Sequence, residues 1–339
     1  MGIMDQELIA GADDDGRRLD RILRKALPGL PLSLVHRLLR KGRVLVDGVR
    51  AGGDLRVRAG AVIRVRGMAD GGFGEIGPHD GKAPADSETG SAGNARQIAV
   101  TDIPALDILF EGAGLLILNK PVGVAVHGEN SLEEQVRGYL AGKLERSLSF
   151  KPGPLHRLDK PTSGVIVFSR SLEGARFFSG LLRERRIRKW YLALLDGSIQ
   201  KQQTWEDRLV RDTRQEKTFL SLGDEPGKPG RTTVTPLTDT GSYTLARLEI
   251  HTGRTHQIRA QAAIHGHPLV GDRKYGGSFL SGGLLLHAEI LEFPEISELV
   301  GTEMEKLAGK RITAPVPAAF QGKIRSLFGE NAVNSSVIP

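Results

Sequence analysis

Hydrophobic residues recur at helical spacing in two stretches near the start of the chain, each with charged residues on its other side. The apolar positions are Leu19, Ile22, Leu23 and Leu27 in the first stretch, and Leu34, Val35, Leu38 and Leu39 in the second. Ser33 is of a type that caps helix N-termini, and Gly42 is of a type that ends helices. The pattern therefore predicts two helices, the second beginning after Ser33 and ending before Gly42.

The apolar period then shortens to the two residues that are typical of strands. Strands are predicted near 44–46 and 62–65, and Asp47-Gly48 is a pair that favours a tight hairpin turn. Residues 17–68 are thus predicted to form a small domain with two helices and a small sheet.

Residues 69–100 break this pattern. They contain seven Gly, five acidic and two basic residues, with few large apolar side chains. A segment of this composition buries too little apolar surface to offset the entropy lost on ordering, so we expect a flexible linker. Such a linker would let the small domain bind a partner at an adjustable distance from the rest of the chain.

Residues 101–325 alternate between short strands, turns and helices, which predicts a second and larger domain. The predicted strands are 115–118, 165–168 and 243–250. A helix with a strongly basic end is predicted at 172–189, and a loose tail at 326–339.

The composition excludes several classes of protein. The chain has 339 residues, enough for a large and a small domain, and it has no Cys. Disulfides, thiolate metal sites and cysteine nucleophiles are therefore excluded, and a reducing compartment such as the cytoplasm is expected. No apolar run approaches the roughly 20 residues of a membrane span, and the short acidic N-terminus is unlike a secretory signal.

The positive charge is concentrated in the small domain. The whole chain carries a formal charge of +7 and has a pI of about 9.6. Residues 17–68 hold fourteen Lys and Arg against three acidic residues, which is +11 and leaves −4 for the remainder. A solvated basic face is one explanation, but so uneven a distribution favours a polyanion such as nucleic acid.

One acidic residue stands among cations just before a predicted strand. Asp159 lies between Arg157 and Lys160, and Gly164 follows shortly before the strand. Neighbouring cations stabilise an ionised carboxylate, and a loop that enters a core strand holds a reactive group rigidly. From these residues alone the commoner explanation is structural, with the carboxylate capping a turn.

A second polar cluster, at 251–259, combines two His, two Arg and a Gln after a predicted strand. Six of the nine histidines fall within 156–287, so a metal site has to be considered. It is disfavoured, since the sequence has neither a His-Glu-x-x-His motif nor an evident set of carboxylate partners. Arg254, His256 and Arg259 suit a phosphate group better.

Five segments, in order, resemble the motifs of the RluA/RluC/RluD family of RNA pseudouridine synthases. They are 119–123 with His127, 156–164, 189–193, 252–259 continuing to Gly276, and 284–288, and they cover about 105–295. Residues 18–20 and 33–48 resemble the small RNA-binding domain first described in the fourth protein of the small ribosomal subunit. RluC- and RluD-type proteins carry such a domain at this place, so the domain order also fits.

The resemblance implies a role for each matching residue. Asp159 matches the family's indispensable aspartate nucleophile, and Arg254 matches the arginine that pairs with it. Tyr191 matches the tyrosine that stacks on the flipped uracil and is the candidate for handling the proton on ring carbon 5. Arg157 matches an arginine that holds the RNA while the base leaves the stack.

Further candidates follow from the same resemblance. Those for substrate binding are His156, Thr162, His256, Arg259, Lys120 and Leu286, although Leu285 fits the family's apolar pocket residue equally well. Those for RNA binding in the small domain are Arg37, Arg40, Lys41 and Arg43. Two departures from the family pattern, Pro161 and the glycine-rich turn at 110–114, involve none of these residues.

The resemblance also implies an α+β catalytic domain with a mixed, mostly antiparallel sheet and a central cleft. Its reaction breaks the bond between the ribose and ring nitrogen 1 of uracil and rejoins the ribose to ring carbon 5. No redox change occurs and no group is donated, so neither a metal nor a cofactor is expected. The expected partner is structured RNA, above all large-subunit ribosomal RNA, and a cytoplasmic monomer without membrane contact is expected. Attack of Asp159 on the ribose and attack on the uracil ring both stay open.

Two functions of other classes compete with this interpretation. A glycosidase also cleaves a bond at a sugar carbon, but it needs two carboxylates at a set separation, whereas the motif around Asp159 holds one. A non-catalytic RNA-binding ribosome-assembly factor on the same fold is the other alternative. Such a factor has no need of Asp159, Tyr191 and Arg254 together.

Overall fold

The computed structural model describes residues 5–67, 105–144, 146–221, 227–279, 283–296 and 301–330. The linker predicted at 69–100 lies outside the described residues, as does the chain from 331 onward. The chain divides into a small unit, Met1–Ile103 with Gly142–Lys151, and a large unit, Pro104–Ala141 with Pro152–Pro339. Within the described ranges, no helix is both long and apolar enough to span a membrane.

The small unit is a helical pair on a small antiparallel sheet. Its elements are β1 (Gln6–Ile9), β2 (Arg17–Arg18), α1 (Leu19–Ala26), α2 (Leu32–Arg40), β3 (Val44–Val46), β4 (Val49–Arg50), β5 (Arg56–Val57) and β6 (Val62–Val65). Four strands pair in the order β1-β6-β3-β4, while β2 pairs with β5. Leu19, Ile22 and Leu23 of α1 are buried together with Val35 and Leu38 of α2, which confirms the two helical stripes.

The observed start of α2 differs from the predicted one, whereas its end and the following turn agree with the prediction. The helix begins at Leu32 with Pro31 at the capping position, so the predicted start after Ser33 is wrong by two residues. Proline has its φ preset near the helical value and lacks an N–H that would need a partner there. At the other end, Gly42 has a φ of 62°, and Asp47 and Gly48 have φ values of 51° and 81°, as the predicted turns require.

The large unit is a long twisted sheet with helices packed against it. Its strands are β7 (Ile108–Gly112), β8 (Leu115–Lys120), β9 (Ser163–Ser169), β10 (Arg188–Asp196), β11 (Gln203–Asp212), β12 (Lys217–Leu220), β13 (Lys228–Asp239), β14 (Tyr243–Ile250), β15 (Leu286–Glu292) and β16 (Arg311–Thr313). Its helices are α3 (Leu132–Leu140), α4 (Leu172–Arg183), α5 (Gln257–Ile264) and α6 (Ala318–Phe328).

The strand order shows a mixed sheet. The strands pair in the order β12-β11-β13-β14-β10-β15-β9-β8-β7, and β16 adds to β15. Among the described strands, β15 and β9 form the single parallel pair, and the other neighbours are antiparallel. The expected α+β fold with a mostly antiparallel sheet is therefore confirmed. Ile117, Val165, Phe178 and Phe293 are buried on one face of this sheet, so the apolar runs are core strands.

Two predictions for the large unit are wrong. The helix predicted at 172–189 ends at Arg183, because Arg185 takes a left-handed φ of 57° and the chain from Arg188 onward pairs as β10. The basic residues after 183 thus lie on a turn and a strand. The tail predicted from 326 is helical up to Phe328, where α6 packs through Phe320 and Ile324 on the core.

Gly164 lets the parallel pair form at the entrance of β9. It lies opposite Ala288 of β15 with a φ of 110°, in a region that L side chains rarely adopt. A Cβ atom there would stand 2.1 Å from the Ala288 carbonyl oxygen, so a side chain cannot fit without separating the strands. This close approach fixes the loop that precedes β9, including Asp159.

Candidate active site

A cavity of about 250 Å³, here called the central cavity, opens over the neighbouring strands β14, β10 and β15, beside the loop that precedes β9. It is lined by His156, Arg157, Leu158, Asp159, Thr162, Lys189, Tyr191, Ile250, Gly253, Arg254, Thr255, His256, Gln257, Ile258, Arg259 and Leu286. Nine of the ten predicted catalytic and substrate-binding residues are among them. The loop before β9 and the N-terminal half of α5 supply most of the polar groups.

Lys120 is the predicted substrate-binding residue that does not line the central cavity. It is fully buried, and its Nζ donates to the carbonyl oxygens of Pro121, Val124 and Lys160 at 2.9, 2.8 and 3.2 Å. Burial lowers the pKa of Lys120 to about 8, and the negative charge of Asp159 opposes this shift. Because its ammonium already donates to three carbonyls, one of them in the Asp159 loop, Lys120 stabilises that loop from outside the central cavity.

The partner of the Asp159 carboxylate is Arg259. The Arg259 NH1 group donates to Asp159 Oδ2 at 3.2 Å, and its Nε and NH2 groups donate to both oxygens of Asp272 at 2.7 and 2.8 Å. Asp272 is 1% exposed, so this two-point ion pair is held away from water. Asp272 fixes the plane of the guanidinium, and the third nitrogen consequently points at Asp159.

Arg254 does not pair with Asp159, and the expectation that it does is wrong. Its Nε donates to the carbonyl oxygen of Pro229 at 3.0 Å, although its side chain still lines the central cavity. The physical reason lies in the local fold. Arg254 belongs to a turn that Gln257 holds on β13, while Arg259 lies on the buried face of α5.

His256 is the second group beside the carboxylate. Its Nε2 lies 3.6 Å from Asp159 Oδ2, and its Nδ1 lies 3.0 Å from the hydroxyl oxygen of Tyr275. The backbone N–H of Thr218 donates to that same oxygen at 2.7 Å, so the Tyr275 proton is free to donate to Nδ1. Burial lowers the pKa of His256, which favours a neutral ring with its proton on Nε2, facing Asp159.

The contacts leave one carboxylate oxygen of Asp159 available. Arg259 and His256 both approach Oδ2, and Oδ1 accepts no hydrogen bond from any residue within the described ranges. The backbone oxygen of Asp159 accepts from the Thr162 N–H at 3.0 Å, which closes a tight turn. The turn therefore fixes the backbone, while Arg259 orients the side chain with Oδ1 directed away from its partners.

The opposite wall of the cavity is apolar and aromatic. Tyr191, on β10, is 8% exposed, and burial raises the pKa of its phenol, so the hydroxyl stays protonated at neutral pH. Leu286 lines the cavity, whereas Leu285 packs into a separate core cluster with Leu192. Consecutive residues of an extended chain point to opposite sides, so Leu286 at the start of β15 and Leu285 just before it diverge, and this decides between the two leucines. The wall can hold a planar uncharged ring.

His156 connects the loop before β9 to the sheet. Its Nε2 accepts a hydrogen bond from the backbone N–H of Val167 at 3.1 Å. Burial, together with the nearby positive charge of Lys189, lowers the pKa of His156 to about 3. Arg157 is exposed at the rim of the cavity and Thr162 is buried at its base. His156 is consequently a neutral acceptor and not a phosphate ligand.

His156 should make stability sensitive to acid. Its pKa is about 3 when folded and near 6.5 when unfolded, so the unfolded chain binds the proton first as the pH falls. Stability from this residue is complete above pH 6.5 and decreases towards pH 3. In His156→Gln, which keeps an acceptor for Val167, we expect the loss between pH 6.5 and 4.5 to be smaller by about 2 kcal/mol in urea unfolding. Equal losses in both proteins would contradict this role.

The residues predicted for the small domain lie in the other unit. Arg40, Lys41 and Arg43 are exposed, and Arg37 is half-buried, on α2 and the turn that follows it. No role was predicted for Asp272 or Tyr275, which come from the turns after α5 and fold back on it. Their only signal in the sequence is that they follow Arg259 within one short glycine-rich stretch. In the part of the chain that the structure describes, no group of three or more His, Asp or Glu could hold a metal ion.

Comparison with known proteins explains this arrangement. The sequence profile of the RNA pseudouridylate synthase family matches residues 114–263, and that of the S4 domain matches residues 17–63. Ribosomal large subunit pseudouridine synthase C of Salmonella typhimurium is 32% identical over 298 residues, which is 83% of this chain and 86% of that protein. The chain belongs to the RNA pseudouridine synthase family.

Two further relatives of this pseudouridine synthase carry the same name, and a solved structure shares its fold. Ribosomal large subunit pseudouridine synthase C of Escherichia coli strain K12 is also 32% identical, over 83% of this chain and 86% of that protein. The enzyme of the same name from Vibrio vulnificus is 28% identical over 88% of this chain and 95% of that protein. The solved structure of human RNA pseudouridylate synthase domain containing 4 shares the fold, with a TM-score of 0.54 at 23% identity, covering 65% of this chain and 92% of that one.

Proposed function

We propose that this pseudouridine synthase isomerises uridines of large-subunit ribosomal RNA and that Asp159 is its nucleophile. The observation that carries the proposal is the single carboxylate of Asp159, oriented by Arg259 and facing the Tyr191 wall. The substrate is supported by the names of the relatives in Salmonella and Escherichia, which act on the large ribosomal subunit.

The chemistry is an isomerisation of one nucleotide. The bond between ribose carbon 1′ and uracil nitrogen 1 breaks, the uracil turns, and carbon 1′ bonds to uracil carbon 5. No electrons are gained or lost overall: carbon 5 loses its hydrogen as a proton, and nitrogen 1, which no longer carries the ribose, takes up a proton. The free Oδ1 of Asp159 supplies the nucleophile. It bonds either to ribose carbon 1′, with uracil leaving through nitrogen 1, or to a uracil ring carbon, and in both cases its bond is broken again by the time the product with carbon 1′ joined to carbon 5 is released.

The central cavity suits a uracil that has left the RNA stack. Extruding a base costs a few kcal/mol, which ring stacking and contacts to the RNA backbone can offset. The Tyr191 ring and Leu286 provide the apolar surfaces, and the protonated Tyr191 hydroxyl is placed to relay the carbon 5 proton. Arg157 at the exposed rim is placed to hold the strand from which the base came.

The small unit would add affinity for structured RNA. Its S4 domain carries the excess of positive charge, and Arg40, Lys41 and Arg43 are exposed around the end of α2. Contacts of this kind neutralise phosphates and position a protein without reading sequence. We also propose action as a monomer in the cytoplasm, a reducing compartment that the absence of Cys fits.

Pseudouridine mapping of total RNA tests this function. Cells without the gene are expected to lose pseudouridine at one or a few large-subunit positions, and the intact gene should restore them. A gene in which Arg37, Arg40, Lys41 and Arg43 are changed to Gln should restore the same positions less completely. An unchanged map with impaired subunit assembly would favour the non-catalytic assembly factor instead.

A further inference from the structure

A second cavity, of about 310 Å³, adjoins the central cavity and is here called the basic groove. It is lined by Leu182, Arg183, Arg185, Ile187, Arg188, Lys189, Glu249, Ile250, His251, Thr252, Gly253 and Arg254. Four of these residues, Lys189, Ile250, Gly253 and Arg254, also line the central cavity. The two cavities therefore share a border, and two of its four residues are cations.

The basic groove holds more positive charge than its own acid can neutralise. Arg188 forms ion pairs with Glu249 at 2.9 Å and with Glu292 at 3.4 Å, so its charge is compensated. Arg183 and Arg185 are exposed, and neither has a carboxylate within 4.0 Å among the residues that the structure describes. The remaining cations of the groove thus present an open site for a polyanion.

At the border, the Lys189 ammonium is left to find its hydrogen-bond acceptors on a ligand. Burial lowers its pKa, yet within the described ranges its ammonium makes neither a hydrogen bond nor an ion pair. Lys120, the other desolvated lysine near Asp159, donates instead to three carbonyls. A half-buried ammonium without acceptors is costly unless a ligand supplies them.

Gly253 leaves room for that ligand. A Cβ atom on Gly253 would find only the Lys189 Nζ within 4 Å, at 3.9 Å, so the space beside the ammonium is open. Arg254 borders the same space, and one N–H group of its guanidinium donates to the Pro229 carbonyl. The five donors of an arginine leave further N–H groups for an anion. A lysine and an arginine across a glycine form a suitable cradle for a phosphate.

We propose that the basic groove is a phosphodiester subsite for the single RNA strand next to the target uridine, with Lys189 and Arg254 binding the phosphate at the border. The proposal rests on the function proposed above, since it needs the uracil in the central cavity. The ribose and phosphate of an extruded nucleotide must then leave the cavity across its border. The neighbouring phosphates follow the groove past Arg183 and Arg185.

Binding of a fluorescein-labelled oligouridylate of about twelve nucleotides tests the subsite without requiring catalysis. In Lys189→Gln we expect Kd to rise about tenfold at low salt, and the slope of log Kd against log salt to fall by about 0.7, the value for one phosphate contact. Lys201→Gln is the matched control, because Lys201 is exposed and lines neither cavity. Its Kd and slope should equal those of the unaltered protein, and circular dichroism melting checks that both variants are folded.

Tritium release from large-subunit RNA distinguishes a failure of this subsite from a failure of the proposed function. For Lys189→Gln the loss should fall mainly on the half-saturating RNA concentration and less on the rate at saturation. An unaltered Kd and salt slope would overturn the subsite, as would a loss confined to the saturating rate. If the unaltered protein releases no tritium, the proposed function fails, whereas the oligouridylate slopes still decide whether the groove binds phosphates.

Discussion

Asp159→Asn is expected to abolish pseudouridine formation, with the rate reduced more than about 10⁴-fold, because an amide oxygen cannot serve as the nucleophile. The variant keeps the shape of the side chain and an oxygen that accepts from Arg259, so folding should be preserved. The measurement is tritium release from RNA labelled at uracil carbon 5, taken from cells that lack the gene. RNA binding by the same variant should stay within about twofold.

Asp212→Asn provides the matched control. Asp212 is the last residue of β11, and its carboxylate accepts from the N–H groups of Arg214 and Gln215 in the turn that follows, which is the structural role that Asp159 could have had. Asn caps such turns as well as Asp does, so activity should be unaffected. Equal activities of Asp159→Asn and Asp212→Asn would show that Asp159 is also structural and would remove the proposed nucleophile.

Arg259→Met should be damaging in two separate ways. Activity should fall about 10²–10³-fold, because the Asp159 carboxylate loses the group that orients it. Stability should fall by about 3–5 kcal/mol, because Asp272, at 1% exposed, is left as a buried charge without its partner. Urea unfolding measures the second effect and tritium release the first.

A second substitution distinguishes the two effects of Arg259. In the double variant Arg259→Met with Asp272→Leu, the unpaired buried carboxylate is gone, so much of the stability should return while activity stays low. Recovery of activity in the double variant would mean that Arg259 acts only through stability.

Arg254→Met tests the corrected pairing. Because Arg254 donates to the Pro229 carbonyl on the surface, its loss should leave the free energy of unfolding within about 0.5 kcal/mol and weaken RNA binding instead. A stability loss as large as that of Arg259→Met would restore Arg254 as the buried partner expected from the resemblance.

Local sequence patterns predicted the elements well where neighbouring residues decide them. The helices α1 and α2, the Asp47-Gly48 turn and the core strands around 115–118 and 165–168 were all evident from spacing. The predicted helix at 172–189 was too long, because its basic end continues into β10, whose pairing with β14 and β15 is not a local property. The helical continuation beyond 326 has the same cause, since α6 packs on a distant core.

Recognition of Asp159 depended on five motifs considered together, since its own loop indicated a structural residue. The sequence therefore determined the fold class, the family and the loop that carries the carboxylate. It also identified most residues of the central cavity, with Leu286 and Leu285 left as equal candidates. The folded chain decided between them, because Leu286, the first residue of β15, lines the central cavity, whereas Leu285 just before it packs into a separate core cluster.

The tertiary structure alone decided which groups act on Asp159. Arg254 and Arg259 are five positions apart and chemically equivalent in the sequence, so no local rule assigns the partner. The turn at Arg254 faces β13, where Arg254 donates to Pro229. Asp272 instead orients Arg259 towards Asp159, although Arg259 and Asp159 are 100 positions apart in the chain. Such distances close only when sheet order and helix packing are set, which is why the five motifs together identified the loop that carries Asp159, whereas only the folded chain identified the partner of its carboxylate.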